Sequence, residues 1–128
     1  MILVDASIWI DFFRSGNYRA ELETLLRNRQ LATHPYLIAE MALGSLANRQ
    51  QTLAELDCLP SLITISIADV RLMIEARGLY AKGIGLVDAN LLASCLATPG
   101  TKIWTLDNRL GKVADALGIR ADSHHLVN

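Results

Sequence analysis

Two rhythms run along the chain: short uninterrupted apolar runs, and longer stretches with apolar residues three or four apart. Ile2-Leu3-Val4 is fully apolar, the pattern of a strand buried on both faces. Asp5-Ala6-Ser7 then opens into Ile8-Trp9-Ile10-Asp11-Phe12-Phe13, which predicts a short helix with Ser7 near its N-cap, broken at Ser15-Gly16-Asn17. Leu22, Leu25 and Leu26 have helical spacing, with Glu21, Glu23, Arg27 and Arg29 on the other face. Leu31-Ala32-Thr33 reads as a second strand, and Pro35 opens a helix through Leu37, Ile38, Met41 and Leu43 that Gly44 weakens. A further helix is expected from about Gln51 to Leu59, stopped by Pro60. Ile63-Thr64-Ile65 predicts a third strand, and Ser66 with Asp69 a capping box for the helix carrying Ile67, Val70 and Ile74.

Gly83 and Gly85 make a loop before a helix over Leu86–Ala97, which Pro99-Gly100 ends. Lys102-Ile103-Trp104-Thr105 is a fourth strand. Asn108 is expected to cap a helix bearing Leu110, Val113, Ala114 and Leu117, with Gly118 as its C′ residue. A last strand around Ile119–Ala121 is weakly signalled. Short apolar strands alternating with longer helices predict right-handed crossovers and a mostly parallel sheet covered by helices, an α/β fold. With no repeat, low-complexity stretch or linker, the 128 residues are expected to form a single domain, 1–128.

Composition narrows the class. At 52% hydrophobic and 20% charged, the chain is globular rather than disordered or fibrous. Cys58 and Cys95 lack metal-ligand spacing and read as core or interface thiols of a reducing compartment. Met1 leads directly into Ile2-Leu3-Val4 with no basic leader, and the apolar stretch Leu86–Ala97 is too short to cross a bilayer, so a cytoplasmic protein without membrane contact is expected. A net charge of −1 argues against a surface that stores nucleic acid. Any RNA or DNA contact then falls to a local basic rim, with Arg14, Arg49 and Arg109 as candidates.

The chemistry lies in four carboxylates. Asp5 is the only charge between Met1 and Ile10, Glu40 between Gln30 and Asn48, and Asp88 between Gly83 and Thr101, while Asp107 follows the apolar run Ile103–Leu106. Burying a carboxylate without a partner is costly, so isolated acids in apolar segments call for an explanation. Asp5 and Asp107 directly follow strands, and open parallel sheets place ligands beyond the carboxyl ends of their strands. If the four meet, repulsion between two of them about 5 Å apart is roughly 3 kcal/mol at an effective dielectric near 20. A hard divalent cation relieves that repulsion, and Mg²⁺ or Mn²⁺ suits an all-oxygen site open to a phosphate. Ser7 and Thr105, each two residues from an acid, are candidates for orienting a ligand or a water.

Each feature also has a plain reading. Asp88 could complement a helix dipole, Glu40 could be solvated surface, and Asp5 and Asp107 could be turn formers or caps. All four would have to hold together to remove the site. Asp11 reads as a helix-surface charge, His34 as a turn or packing residue, Trp9 and Trp104 as core, and His124-His125 as a surface tail. A phosphotransfer receiver domain fits poorly, because Asp5 has no acidic neighbour and Ile65 is followed by Ser66 rather than an acid.

The four segments resemble the four motifs of the PIN-domain ribonucleases. Leu-Val-Asp-Ala-Ser-Ile-Trp around Asp5 and Ser7 is similar to the first, and Leu-Ile-Ala-Glu-Met around Glu40 to the second. Gly-Leu-Val-Asp-Ala-Asn around Asp88 is similar to the third, and Trp-Thr-Leu-Asp with Thr105 and Asp107 to the fourth. Order, spacing and length resemble the VapC toxins of bacterial VapBC toxin–antitoxin modules. The resemblance implies an α/β/α sandwich and a Mg²⁺- or Mn²⁺-dependent endoribonuclease acting on transfer or ribosomal RNA. It implies Asp5 and Asp88 as the most direct metal ligands, with Glu40 and Asp107 completing the site. It also implies a homodimer, and a VapB antitoxin whose C-terminal segment covers the acidic groove and through which the complex binds operator DNA. The family often has His where this chain has Asn90, which points to altered substrate contacts there.

Overall fold

β1 (Ile2–Val4) is the middle of a three-stranded, wholly parallel sheet in the order β2-β1-β3, with β2 at Leu31–Ala32 and β3 at Lys102–Trp104. The structure is a computed structural model and describes residues 1–122; the His124-His125 pair lies outside the described residues. Ile2 pairs with Leu31 on one side and with Lys102 on the other, and Val4 lies opposite Trp104. All three residues of β1 are buried, as a continuous apolar run in a sheet covered on both faces requires. Single parallel bridges, Thr33 to Ser61 and Ile103 to Arg120, extend the sheet by one step at each edge.

Helices fill the crossovers. α1 (Ala6–Ser15) and α2 (Arg19–Arg27) join β1 to β2, while α3 (Pro35–Ala42), α4 (Arg49–Asp57), α5 (Ile67–Arg77) and α6 (Leu86–Ala97) lie between β2 and β3. α7 (Asn108–Ala116) follows β3. Leu3, Val4, Ile8, Leu92 and Ile103 are fully buried, each contributing about 1.5–3 kcal/mol relative to an exposed side chain. Trp9 and Trp104 join them as expected, and Tyr18 packs edge-on against Trp104. α6 is apolar almost all round and is buried along Ala89–Cys95, so it forms the centre of the helical layer.

Three local expectations are corrected. Ile63-Thr64-Ile65 is not a strand, because side chains of α6 take over its backbone pairing. Asn90 Nδ2 donates to the Ile65 carbonyl at 2.9 Å, Asn90 Oδ1 accepts from the Ile65 N–H at 3.3 Å, and Ser94 Oγ donates to the Ile63 carbonyl at 2.6 Å. Asn90 is therefore fully buried, a backbone tether with no exposure to substrate. The N-cap of the helix after β1 is Asp5, two residues before Ser7, while the helix after β3 is capped at Asp107 rather than Asn108. Cys95 is buried in the core, and Cys58, at the end of α4, is exposed. Ser66 does cap α5, accepting from the Asp69 N–H at 3.1 Å.

Candidate active site

The parallel sheet sends all three strand ends toward one rim, and the acids collect there. Asp5 follows the central strand, and its own N–H donates to the Trp104 carbonyl at 2.9 Å, tying it to the neighbouring strand. Asp107 follows β3, Glu40 sits on α3 after β2, and Asp88 sits in the first turn of α6. All four line one cleft of ≈ 440 Å³ with Ser7, Ile10, Gly85 and Leu86. Asp5 is its buried floor at 7% exposure, Asp88 is half-buried, and Glu40 and Asp107 stand exposed at the edge.

Asp5 is held in place by hydroxyls. Ser7 Oγ donates to its Oδ2 at 2.9 Å and Thr105 Oγ1 donates to the same oxygen at 2.7 Å. The hydroxyls are themselves anchored: the Leu106 N–H donates to Ser7 Oγ at 2.9 Å and the Asp107 N–H to Thr105 Oγ1 at 3.0 Å. Ser7 and Thr105 thus fasten the turn after β3 to the first turn of α1 and fix the rotamer of the carboxylate between them. Asp107 caps α7, its Oδ1 accepting from the N–H groups of Arg109 at 2.9 Å and Leu110 at 3.0 Å. The plain reading of Asp107 as a cap is thus true of one of its oxygens.

The electrostatics record the crowding. Burial pushes Asp88 up to about 6; the Gly85 N–H, 3.4 Å from its Oδ2, opposes the rise, and Asp5, Asp107 and Glu40 add to it. Glu40 is raised as well, by desolvation first and by Asp5 second. The charges acting on Asp88 are all carboxylates, so the protein does not neutralise the cleft from within. As the side chains stand, no three Asp, Glu, His or Cys groups among the described residues are clustered tightly enough to hold a metal ion. Mutual repulsion favours such a spread, and the donor set, oxygen only and open to solvent, is the chemistry that suits a hard cation.

The expected basic rim resolves into separate roles. Arg49 is committed to the end of α3, donating to the carbonyls of Gly44 at 3.1 Å and of Ala42. Arg14 lines a neighbouring hollow with Ile10, Phe13 and Asn48. Arg109 lies across Gly83, so close that a Cβ there would stand 2.7 Å from its Cδ. Gly83 also has φ +78°, a conformation other residues rarely adopt. Gly83→Ala is therefore expected to displace Arg109 and to lower stability by about 1 kcal/mol, or roughly 4 °C in a melting scan; an unchanged melting temperature would contradict this. His34 is a packing residue, as expected, buried at the N-cap of α3, whereas the Gly83–Arg109 contact and the buried roles of Asn90 and Ser94 leave no mark in the sequence. A lone charge in an apolar segment signals an acid, but nothing comparable marks a polar side chain that folds inward.

Comparison with known proteins agrees with this architecture. The PIN domain family profile matches residues 2–116. The chain is 37% identical over 119 residues to the protein named ribonuclease VapC32 in two strains of Mycobacterium tuberculosis, CDC 1551 / Oshkosh and ATCC 25618 / H37Rv, covering 93% of this chain and 94% of each relative. Among solved structures, PAE2754 from Pyrobaculum aerophilum superposes with a TM-score of 0.61 at 19% identity, over 91% of this chain and 90% of that one, a likeness of fold. A receiver domain is thereby excluded. The chain belongs to the PIN-domain family, among the VapC-type ribonuclease toxins of toxin–antitoxin modules.

Proposed function

We propose that the protein is a Mg²⁺- or Mn²⁺-dependent endoribonuclease that hydrolyses RNA phosphodiester bonds at Asp5, Glu40, Asp88 and Asp107. The observation that carries this reading is the single cleft lined by all four acids, in which Asp88 is pushed up to about 6 with no cation of the protein to relieve it. Asp5 and Asp88 would hold the ion, with Glu40 and Asp107 completing its surroundings. A bound divalent ion supplies Lewis acidity to the phosphate and to an attacking water. Ser7 and Thr105 both hydrogen-bond one oxygen of Asp5, which would leave the other for the ion. Glu40, exposed at the cleft edge and raised in proton affinity, would serve as a general base. Arg14, in the hollow that shares Ile10 with the cleft, and Arg109, two residues after Asp107, would supply cations for phosphates beyond the cleft itself. Substrates are RNA, with transfer and ribosomal RNA loops favoured by the resemblance to VapC toxins.

The test is cleavage of total RNA by antitoxin-free protein in Mn²⁺ or Mg²⁺ against EDTA, beside Asp5→Asn. Discrete metal-dependent fragments missing from the variant support the reading. Silence on all RNA under both metals would favour a binding module instead.

The protein is further proposed to act as a cytoplasmic homodimer under a VapB antitoxin. Ile63 at 65% exposure, and Ile67 and Leu72 on α5, are large apolar side chains left exposed, some of which a second copy would cover. Light scattering should give about twice the 14.0 kDa chain mass; a monomer at micromolar concentration would contradict this. An apolar groove of ≈ 350 Å³ bounded by Trp9, Phe12, Phe13, Leu22, Leu26 and Leu56 adjoins the Arg14 hollow at Phe13, and that hollow adjoins the acidic cleft at Ile10. This succession of hollows, neighbours through shared residues, would suit an antitoxin segment whose end covers the acids. Operator DNA is then bound through the antitoxin. Among the described residues no helix is long and apolar enough to cross a membrane.

A further inference from the structure

We infer that His34 is a positioning residue: its buried imidazole bolts the start of α3 to α6 and so fixes the separation between Glu40 and Asp88. This rests on the metal-site reading above. His34 is wholly buried at the N-cap of α3, where Nδ1 accepts the Tyr36 N–H at 3.0 Å. An Nδ1 that accepts carries no proton, so the proton of the neutral ring sits on Nε2. Nε2 lies 2.9 Å from Ser94 Oγ and donates to it, and the Ser94 hydroxyl donates in turn to the Ile63 carbonyl at 2.6 Å. The result is a directed chain from α3 through α6 to the 61–65 segment in which each donor has an acceptor.

Geometry gives that chain its consequence. Asp88, Asn90 and Ser94 share α6, and the two polar residues lie four apart, on the face that meets the Ile63–Ile65 backbone. Glu40 sits on α3, which begins at the bolt and packs directly on α6. Each acid is thus rigidly attached to one side of the same hydrogen-bonded joint. Burial holds His34 below its ordinary value against an opposing hydrogen bond with Asn90, which keeps the imidazole in the neutral form that the joint requires. Two carboxylates that must close on one ion are sensitive to small shifts of their supports, and groups behind metal ligands commonly alter affinity by roughly 10–100-fold.

Two substitutions separate the joint from the helix cap. His34→Asn keeps a side-chain acceptor for the Tyr36 N–H, since Asn is a strong N-cap, but is too short to reach Ser94. Ser94→Ala removes the other half and leaves a good helix former in α6. Mn²⁺ binding to antitoxin-free protein is measured by calorimetric titration for wild type, both single variants and the double variant. Each single variant is expected to weaken Mn²⁺ about tenfold, and the double variant no further than either alone, because all three break the same joint. Melting temperatures that fall while the Mn²⁺ dissociation constant stays unchanged would overturn the proposal and leave His34 a core residue. Wild-type protein that takes up no Mn²⁺ would instead overturn the metal-site reading beneath it.

Discussion

Asp88→Asn is expected to cut RNA cleavage by roughly a thousandfold, the loss of several kcal/mol of metal-centred stabilisation, and yet to make the metal-free protein more stable near neutral pH. The two effects share one cause. Asp88 is raised to about 6 from an ordinary 3.8 by burial and by Asp5, Asp107 and Glu40, so the folded state holds its proton more tightly than the unfolded chain does. Stability then falls as pH rises from about 4 to about 6 and stays lowered above that window. The substitution removes a charge that the fold resists. Discounted for the partial exposure of Asp88, the gain is about 1 kcal/mol, or roughly 4 °C. It should vanish below about pH 4, where wild-type Asp88 is also neutral. Melting curves of the two proteins from pH 4 to 8, without divalent ions, check the sign. A variant less stable than wild type at pH 8 would show that Asp88 is a structural carboxylate rather than a strained one.

Mn²⁺ at about 100 times its dissociation constant should raise the melting temperature of wild type by roughly 10 °C, from a binding contribution near 2.7 kcal/mol. Neutralising the repulsion among four acids is the source of that gain. Uptake requires Asp88 to ionise, so the response should weaken as pH falls through about 6, and Asp88→Asn should lose most of it. Differential scanning fluorimetry across a Mn²⁺ series at pH 7.5 and pH 5 makes the comparison. A melting temperature indifferent to Mn²⁺ at both pH values would contradict a site poised for a divalent ion.

Much of this was legible in the sequence because strong physical penalties leave strong marks. A run such as Ile2-Leu3-Val4 has no use outside a doubly covered strand, and β1 occupies those three residues. Charges kept out of apolar segments mark Asp5, Glu40 and Asp88, and the fold brings them to one cleft with Asp107. The bounds of α6 were equally plain, because Gly85 precedes its first residue and Pro99 follows its end. What stayed hidden depends on where polar side chains point. Ile63-Thr64-Ile65 has the composition of a strand, yet Asn90 and Ser94 reach across from α6 and meet the needs of its backbone. Ser7 has the chemistry of an N-cap, but the cap falls at Asp5, and the hydroxyl turns back to hold that carboxylate. His34 is an ordinary residue before a proline until tertiary packing seals it beside Ser94.

Four acids from four elements are proposed to form one metal site. Anomalous diffraction from crystals grown with Mn²⁺ tests it most directly. A manganese peak is expected within coordination distance of the carboxylates of Asp5 and Asp88, with Glu40 and Asp107 drawn toward it, and the peak should be lost in the Asp88→Asn protein. A peak elsewhere on the molecule, or none in this cleft under saturating Mn²⁺, would contradict it.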